Sequence, residues 1–442
     1  MLADKLFDRF EQDVLANPDL YLEDYYRVKD SVANSTAIYK NKPIDFLYQP
    51  MFFCPDDIQR LGRIAHTLAG ILEKVIDQYC KDSQFRKLFA FSPLMEELIL
   101  IDPGYRWTFP MARFDLFYHR DDKDIRFCEL NADGSSGMNE VRELHNIVGA
   151  SQALSGFDKG QDFVDMELFD TWIDAIIANY REFGHGPETP NIAIADFTGE
   201  GTTSEFEVFR SRFEARGYDT VICDLQELKL QGTQLYYGSM PIHLVYRRAT
   251  TTRIVHHAAN IKDFIRAYRE KYVCVVGGMV SQIIHNKKLF AVLHMFQHLT
   301  FLNSEEKDFI AAHIPYTVML HAADKEFLAE VAGNKDRWVL KPDDQFAAHG
   351  VFIGKDYSRH RWQQLVKQWA GESYLAQEFC SLPQRKMLTV EGRSLRFENY
   401  NFMLGLFMYN HRFRGIFTRA SRHNTIAAVV ESFALPNFIL NK

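Results

Sequence analysis

Two stretches decide the fold: WTFPMARFDLFYH at 107–119 and DIRFCELNADGSSG at 124–137. They read as two strands around the polar turn Arg120–Asp124, then a Gly/Ser loop and a helix from about Asn139. A period of two puts Arg113 and Asp115 on one face of the first strand, and Glu129 and Asn131 on one face of the second. Paired as a hairpin, these strands bring three oxygen-bearing side chains and a guanidinium together. Mg²⁺ takes hard oxygen donors and combines a few protein ligands with phosphates and water. The alternative is a surface hairpin of alternating charge. Phe114, Leu116, Phe127, Cys128 and Leu130 predict that one face belongs to the core and the polar face is wet.

Upstream, residues 1–100 read as mostly helical, with IQRLGRIAHTLAGILEKVIDQY at 58–79 the clearest amphipathic run. Downstream, 190–285 alternates between strand and helix. NIAIAD, YDTVICD, IHLVYRR and YVCVVGG read as strands, and EFEVFRSRFEARG as a helix closed by Gly217, which predicts a small open sheet with helices on its faces. From 286 the helices NKKLFAVLHMFQHL and SEEKDFIAAH precede WVLKPDDQFAAHGVFIG, which reads as two strands joined by a loop. A helix near 358–369 follows, then YLAQEF and largely antiparallel stretches around 386–418. Lys341 ends a strand beside a loop, one way of holding nucleotide phosphates, and Lys287 starts a helix. There is no Walker A sequence and no GxGxxG, so neither a P-loop nor a Rossmann phosphate site is supported.

The chain of 442 residues is 47% hydrophobic and 25% charged, an ordinary globular composition with a prior of two or three domains. Disorder, collagen and coiled-coil arrays are excluded as descriptions of the whole, and no apolar run reaches the length of a membrane helix. The start, MLADKLFDRFEQD, lacks a basic n-region and an apolar h-region, so no cleaved secretory signal is expected. A net charge of −7 argues against a general affinity for nucleic acid. Residues 1–30 carry eight acidic and four basic side chains, whereas 385–423 carry eight Lys/Arg against Glu391 and Glu398, which is either a solvated basic face or an anion site. Six scattered cysteines without a CxxC predict buried reduced thiols in a cytoplasmic protein. No HExxH occurs among the sixteen histidines, which disfavours a transition-metal enzyme.

Taken in order, RFD (113–115), CELNADGSSG (128–137), LVYRR (244–248), NKKLFAVL (286–293), IPYT (314–317), VLKPDDQFAAHGVFIG (339–354), AQEF (376–379) and GIFTRASRHNTIAAVV (415–430) resemble the circularly permuted ATP-grasp family. The likeness is to the synthetase domain of glutathionylspermidine synthase. It implies an α/β fold with an ATP-grasp body at 106–150 and 286–442, a pre-ATP-grasp α/β unit at 151–285 and a helical N-terminal region at 1–105. It further implies ATP and Mg²⁺ as cofactors, and small-molecule carboxylate and amine substrates joined through an acyl phosphate. Asp115, Glu129 and Asn131 would be the metal ligands, and Arg113 would neutralise the transferring phosphoryl group. Lys287 and Lys341 would contact the nucleotide, Gln377, Glu378 and Phe379 would form the adenine-side hinge, and His349, Gly350 and Arg419 would complete the ATP site. Ser135, Ser136, Glu140 and Arg247 fall on the substrate side, and Arg412 and Arg422 are weaker candidates for triphosphate or substrate carboxylates.

Two departures stand out. The family commonly carries a glycine-rich lid of the type DGYGGKGV after Lys-Pro. This chain has DQFAAHGV, where Gln345, Ala347, Ala348 and His349 replace flexible or basic positions and Gly350 remains. Alanine restricts the backbone relative to glycine, so reduced activity, and with it a nucleotide-binding or regulatory role, is a competing expectation, alongside a small-molecule phosphotransferase. The loop ADGSSGM lacks the family's cysteine, which puts glutathione as the substrate in doubt.

Overall fold

The computed structural model describes residues 2–120, 124–157, 163–164, 166–199, 201–345 and 348–441. Its backbone is a six-stranded antiparallel sheet in which Met111–Tyr118 lies between Ile125–Asn131 and the long strand Ser394–Tyr409. Arg412–Ser421 and Phe433–Leu435 extend the sheet beyond that strand, and Gln384–Glu391 pairs with its first half. Ser394–Tyr409 changes character midway. Its first six residues are partly exposed, whereas everything from Tyr400 on is buried, because the helices Pro55–Lys81 and Phe169–Phe183 pack on that half.

The predicted run at 58–79 is a helix over Pro55–Lys81, opened by Pro55 at its first position and by Asp57 bonding back to the Cys54 N–H at 3.0 Å. The alternation at 190–285 resolves into a four-stranded parallel sheet, ordered Cys274–Val276, Leu244–Arg247, Ile192–Asp196, Thr220–Asp224. The helix Thr203–Ala215 ends before Gly217, which takes φ +83° as a chain-reversing glycine. An antiparallel three-stranded sheet over 228–242 lies between these elements; the alternation of residue types did not separate it from the parallel strands. NKKLFAVLHMFQHL forms only the short helix Lys288–Leu293 and a 3₁₀ turn at Phe296–His298.

A second antiparallel sheet, ordered Thr317–Met319, Tyr374–Glu378, Trp338–Pro342, Phe352–Ile353, has its own core around Trp338, Trp362 and Leu365. The N-terminal helices, in contrast, share one apolar core with the six-stranded sheet. Met51–Phe53 also pairs in parallel with Asn437–Leu440. All six cysteines are free; Cys54, Cys223 and Cys274 are buried, Cys128 and Cys380 half-buried, and Cys80 is exposed, so the expectation of uniformly buried thiols does not hold. Among the described residues, no helix is long and apolar enough to cross a membrane.

Candidate active site

The two opening stretches pair as a hairpin, with Arg113 opposite Asn131 and Asp115 opposite Glu129. The register then shifts, because Leu116 faces Phe127 and leaves Cys128 as the extra residue of a β-bulge. The connecting turn partly escapes description, since residues 121–123 lie outside the described residues. The surface-hairpin alternative does not hold for the first strand. Met111–Tyr118 is a central strand, and Arg113 and Asp115 are 9% and 1% exposed.

Asp115 is held there by two arginines and an amide. Its Oδ1 accepts from Arg113 Nε at 2.8 Å, and its Oδ2 from Arg113 Nη2 at 3.1 Å, Arg419 Nη2 at 2.7 Å and Asn131 Nδ2 at 3.1 Å. Both guanidiniums lie over the ring of Phe417, 5.6 and 5.2 Å from its centroid. The neighbouring strand makes room with Gly405, which sits opposite Asp115; a Cβ there would lie 2.7 Å from both Arg113 Cδ and Asp115 Oδ1. An isolated glycine in an apolar strand is the one signal in the sequence that marks this close approach.

Between the hairpin and the second sheet runs a cleft lined by Glu129, Lys287, Lys341, Thr317 and Gln377, with Leu130, Phe290 and Leu375 as apolar walls. It is nearly closed, with about 10 Å³ of free space. Lys287 Nζ meets Glu129 Oε1 at 2.8 Å. Lys341 Nζ donates to Gln377 Oε1 at 2.6 Å and to the Cys128 carbonyl at 3.2 Å, and Gln377 Nε2 donates to Thr317 at 3.1 Å. Burial alone would raise the pKa of Glu129; Lys287, Lys341 and His285 outweigh it and hold the carboxyl down at about 2. Burial lowers Lys341 from its ordinary value, with Cys128 and Glu129 opposing. Glu378 and Phe379 stand at the end of the hinge strand, their N–H groups bonded to the carbonyls of Tyr316 and Arg337 at 2.8 and 2.7 Å. The Glu378 carboxylate pairs with Arg337 at 3.4 Å, and Lys355 covers the Phe379 ring. Of the three hinge residues, only Gln377 lines the cleft.

The loop after Lys341 is fastened across the cleft. Lys287 N–H donates to the Asp343 carbonyl at 2.9 Å and Lys287 Nζ to the Gln345 carbonyl at 2.6 Å. Lys288 pairs with Asp343 at 2.9 Å, while Thr252 and Gln282 donate to Asp344 at 2.5 and 3.0 Å. Ala347 lies outside the described residues. Ala348 adopts φ +58° and Gly350 φ +73°, and a Cβ at Gly350 would lie 2.6 Å from Tyr374 Oη. His349 is exposed.

On the acceptor side, the Ser135 hydroxyl bonds to the Asn131 carbonyl, and the Ser136 carbonyl accepts from Arg113 Nη1 at 2.7 Å. Arg247 does not reach the cleft. It is 2% exposed, pairs with Asp133 at 2.6 Å, and donates to the carbonyls of Gly277, Ala249 and Gly278 and to Ser281. Its neighbour Arg248 pairs with Glu205 at 3.2 Å. The other oxygen of Glu205 accepts the N–H groups of Gly137, Met138 and Asn139, at 3.1, 2.9 and 3.2 Å, where the helix Met138–Gly149 begins. A carboxylate there satisfies orphan donors and complements the helix dipole. Burial, together with the charge of Glu205, pushes Glu140 up to about 7.

The basic C-terminal stretch is largely neutralised by protein carboxylates. Arg385 and Lys386 pair with Asp4 and Glu11 of the acidic first helix, and Arg422 pairs with Glu431. Arg412 is exposed at the end of its strand, which leaves Arg419 as the arginine of that stretch at the site.

Two carboxylates and an amide on facing strands fit a hard divalent cation in chemical type. In the structure Asp115 and Glu129 are ion-paired with arginine and lysine, so a cation would enter by exchange with those contacts. No group of three or more His, Cys, Asp or Glu side chains among the described residues is arranged to hold a metal. Sequence reasoning passed over Gly405, Glu205, Arg248 and His285, although His285 lies two residues before Lys287 and lines the same cleft.

Comparison with known proteins assigns the architecture. No family model matches the sequence, and no curated protein does. Among solved structures, a glutathione synthetase-like effector from Globodera pallida superposes at TM-score 0.58 with 14% identity, covering 96% of this chain and 98% of that one. A putative gamma-glutamylcysteine synthetase from Methylobacillus flagellatus KT gives 0.43 with 11% identity, covering 84% and 88%. A RimK-domain ATP-grasp protein from Sphaerobacter thermophilus gives 0.29 with 16% identity, covering 52% and 91%. The chain shares the mixed helix-and-sheet fold of the glutathione synthetase-like effector over nearly its whole length.

Proposed function

We propose that this chain is an ATP-dependent carboxylate–amine ligase. The observation that carries the reading is a cleft lined by Glu129, Lys287 and Lys341, with Asp115 opposite Glu129 on the paired strand and Asn131 two residues further along. The carboxylate hairpin precedes both lysines in the chain, the order a circularly permuted, glutathionylspermidine synthase-like protein would have. On this reading 106–150 with 286–442 form the catalytic body, 151–285 the pre-ATP-grasp unit and 1–105 the N-terminal region. The free cysteines fit a reducing, cytoplasmic setting.

ATP and a carboxylate repel one another, and cationic groups must offset that repulsion. Lys341 and Lys287 would take the phosphates, exchanging their contacts with Gln377, Cys128, Gln345 and Glu129 for phosphate oxygens. Arg113 and Arg419, oriented by Asp115, would face the charge that develops as the γ-phosphoryl group passes to the substrate carboxylate. Asp115, Glu129 and Asn131 would hold Mg²⁺, which supplies charge neutralisation of the phosphates when bound. The substrate amine would then attack the acyl phosphate carbon, forming the C–N bond as phosphate leaves. The loop Asp343–Gly350 would shield that intermediate from water, with Ser135, Ser136 and Glu140 on the acceptor side. Opening the cleft requires the second sheet to move off the hairpin, because the free space between them is about 10 Å³, room for about one water and far short of a nucleotide.

Purified chain supplied with Mg-ATP and a panel of acids and amines should release ADP and phosphate, and mass spectrometry should find an amide. A stable phosphorylated product would instead mark a phosphotransferase. A second reading, a nucleotide-binding regulatory protein, is favoured by the fastening of Asp343–Gln345 and the internal pairing of the site's charges. Tight Mg-ATP binding without turnover across the panel would support it.

A further inference from the structure

His285 is the unassigned polar group of the cleft. It ends the short helix Gln282–His285 and lines the cleft with Glu129, Lys287 and Lys341. Its Nδ1 is shut off from solvent and has no hydrogen-bond partner among the described residues. A buried ring nitrogen left without a partner costs free energy unless something else bonds to it, so its placement in a binding cleft calls for a ligand atom.

The neighbours locate that atom. The hinge end of the cleft is marked by Thr317 and Gln377, whose side chains bond to each other. His285 belongs to the hairpin side, because its helix Gln282–His285 packs against Ile125–Asn131, the strand that carries Glu129. Lys287, one residue beyond its flanking Asn286, pairs with Glu129 there. Lys287 is fixed from two sides, by Glu129 and by the Gln345 carbonyl, whereas Nδ1 of His285 is uncommitted.

We propose that His285 is a binding residue for the terminal phosphoryl groups of the nucleotide, its Nδ1–H donating to a β- or γ-phosphate oxygen. The inference rests on the nucleotide reading given above. A neutral imidazole suffices, since donation from Nδ1 requires only that tautomer. AMP lacks the terminal phosphoryl groups, so the contribution of His285 rises from AMP to ADP to ATP.

Calorimetry of the full chain with Mg-ATP, Mg-ADP and AMP tests this. His285→Ala should weaken Mg-ATP binding about tenfold, the loss of one hydrogen bond to a charged group, and leave AMP binding unchanged. His285→Asn, whose amide nitrogen can stand near the Nδ1 position, should recover most of the loss. His285→Gln, which carries its amide further out, should not. Equal weakening for all three nucleotides, or unchanged Mg-ATP affinity in a His285→Ala chain with a native melting curve, would overturn the assignment. If His285→Ala does not fold, the Asn and Gln variants decide it by whether their affinities for Mg-ATP differ. A wild-type chain that binds none of the three nucleotides overturns the nucleotide reading itself; one that binds them all with no dependence on His285 overturns only the inference.

Discussion

Two buried arginine clusters flank the loop Asp133–Ser136, and they differ in what is left over. Arg247 and Arg248 point from the parallel sheet into that loop and into Glu205, and Arg247 is consumed by Asp133, Ser281 and three backbone carbonyls. Arg113 and Arg419 approach from the antiparallel sheet and share a single carboxylate, Asp115. Arg419 Nε has no partner among the described residues. The first cluster is a fastening between the α/β unit and the hairpin loop. The second keeps excess positive charge, two guanidiniums for one carboxylate, beside the cleft. Burial, residue type and one Nε unpartnered among the described residues, that of Arg248 in the first and Arg419 in the second, are alike in the two; surplus charge separates a candidate site from a structural pin.

The sharpest way to break this contrast is to neutralise each carboxylate. Asp115→Asn should abolish turnover, by about a thousandfold or more, and also destabilise the chain, because two buried guanidiniums lose their counter-charge. Glu205→Ala should cost about 3–5 kcal/mol in urea unfolding, since it strands Arg248 and three helix N–H groups. At a temperature where that variant remains folded, its Mg-ATP affinity should stay within about threefold of wild type, a contact of this kind being remote from the phosphates. Should Glu205→Ala abolish nucleotide binding while remaining folded, the division into pin and site would fail.

Gly405→Ala sharpens the comparison with a smaller effect. A methyl group 2.7 Å from Arg113 Cδ and Asp115 Oδ1 must displace one of them, so we expect about 1–3 kcal/mol of destabilisation and a tenfold or greater loss of turnover. Last is a pH effect on stability at the boundary between the clusters. Folded Glu140 keeps its proton up to about pH 7, against an ordinary value of 4.5. Between those limits the folded chain binds more protons than the unfolded one, so stability should fall as pH rises through the window and level off above it. The drop should be about 3 kcal/mol. Glu140→Gln should flatten the profile measured by chemical denaturation.

Much of this was legible from local pattern. RFD and ELN could be placed on facing strands because a period of two survives in both, and NIAIAD and YDTVICD read as strands of an open sheet because short apolar cores alternate with helical runs. Burial of Arg113 and Asp115 was not legible, since it comes from Ser394–Tyr409, nearly 300 residues away, covering the hairpin's flank. Arg247 was misplaced for a related reason: in LVYRR nothing distinguishes an arginine that will meet Asp133 and three carbonyls from one that will meet a ligand. The basic stretch 385–423 left a solvated face and an anion site both open because the acidic helix that pairs with Arg385 and Lys386 lies at the opposite end of the sequence. His285 carried no spacing signal at all.

The placement of Met111–Tyr118 between Ile125–Asn131 and Ser394–Tyr409 has a consequence for synthesis. As the chain leaves the ribosome, the hairpin emerges long before the strand that covers it, with Phe114 and Leu116 and an unpaired edge in solution. A lone two-stranded hairpin is marginal in water, and an open apolar edge invites pairing with other chains. Chaperone occupancy on nascent chains should therefore rise once residues near 131 are exposed and fall only after those near 409 have cleared the exit tunnel.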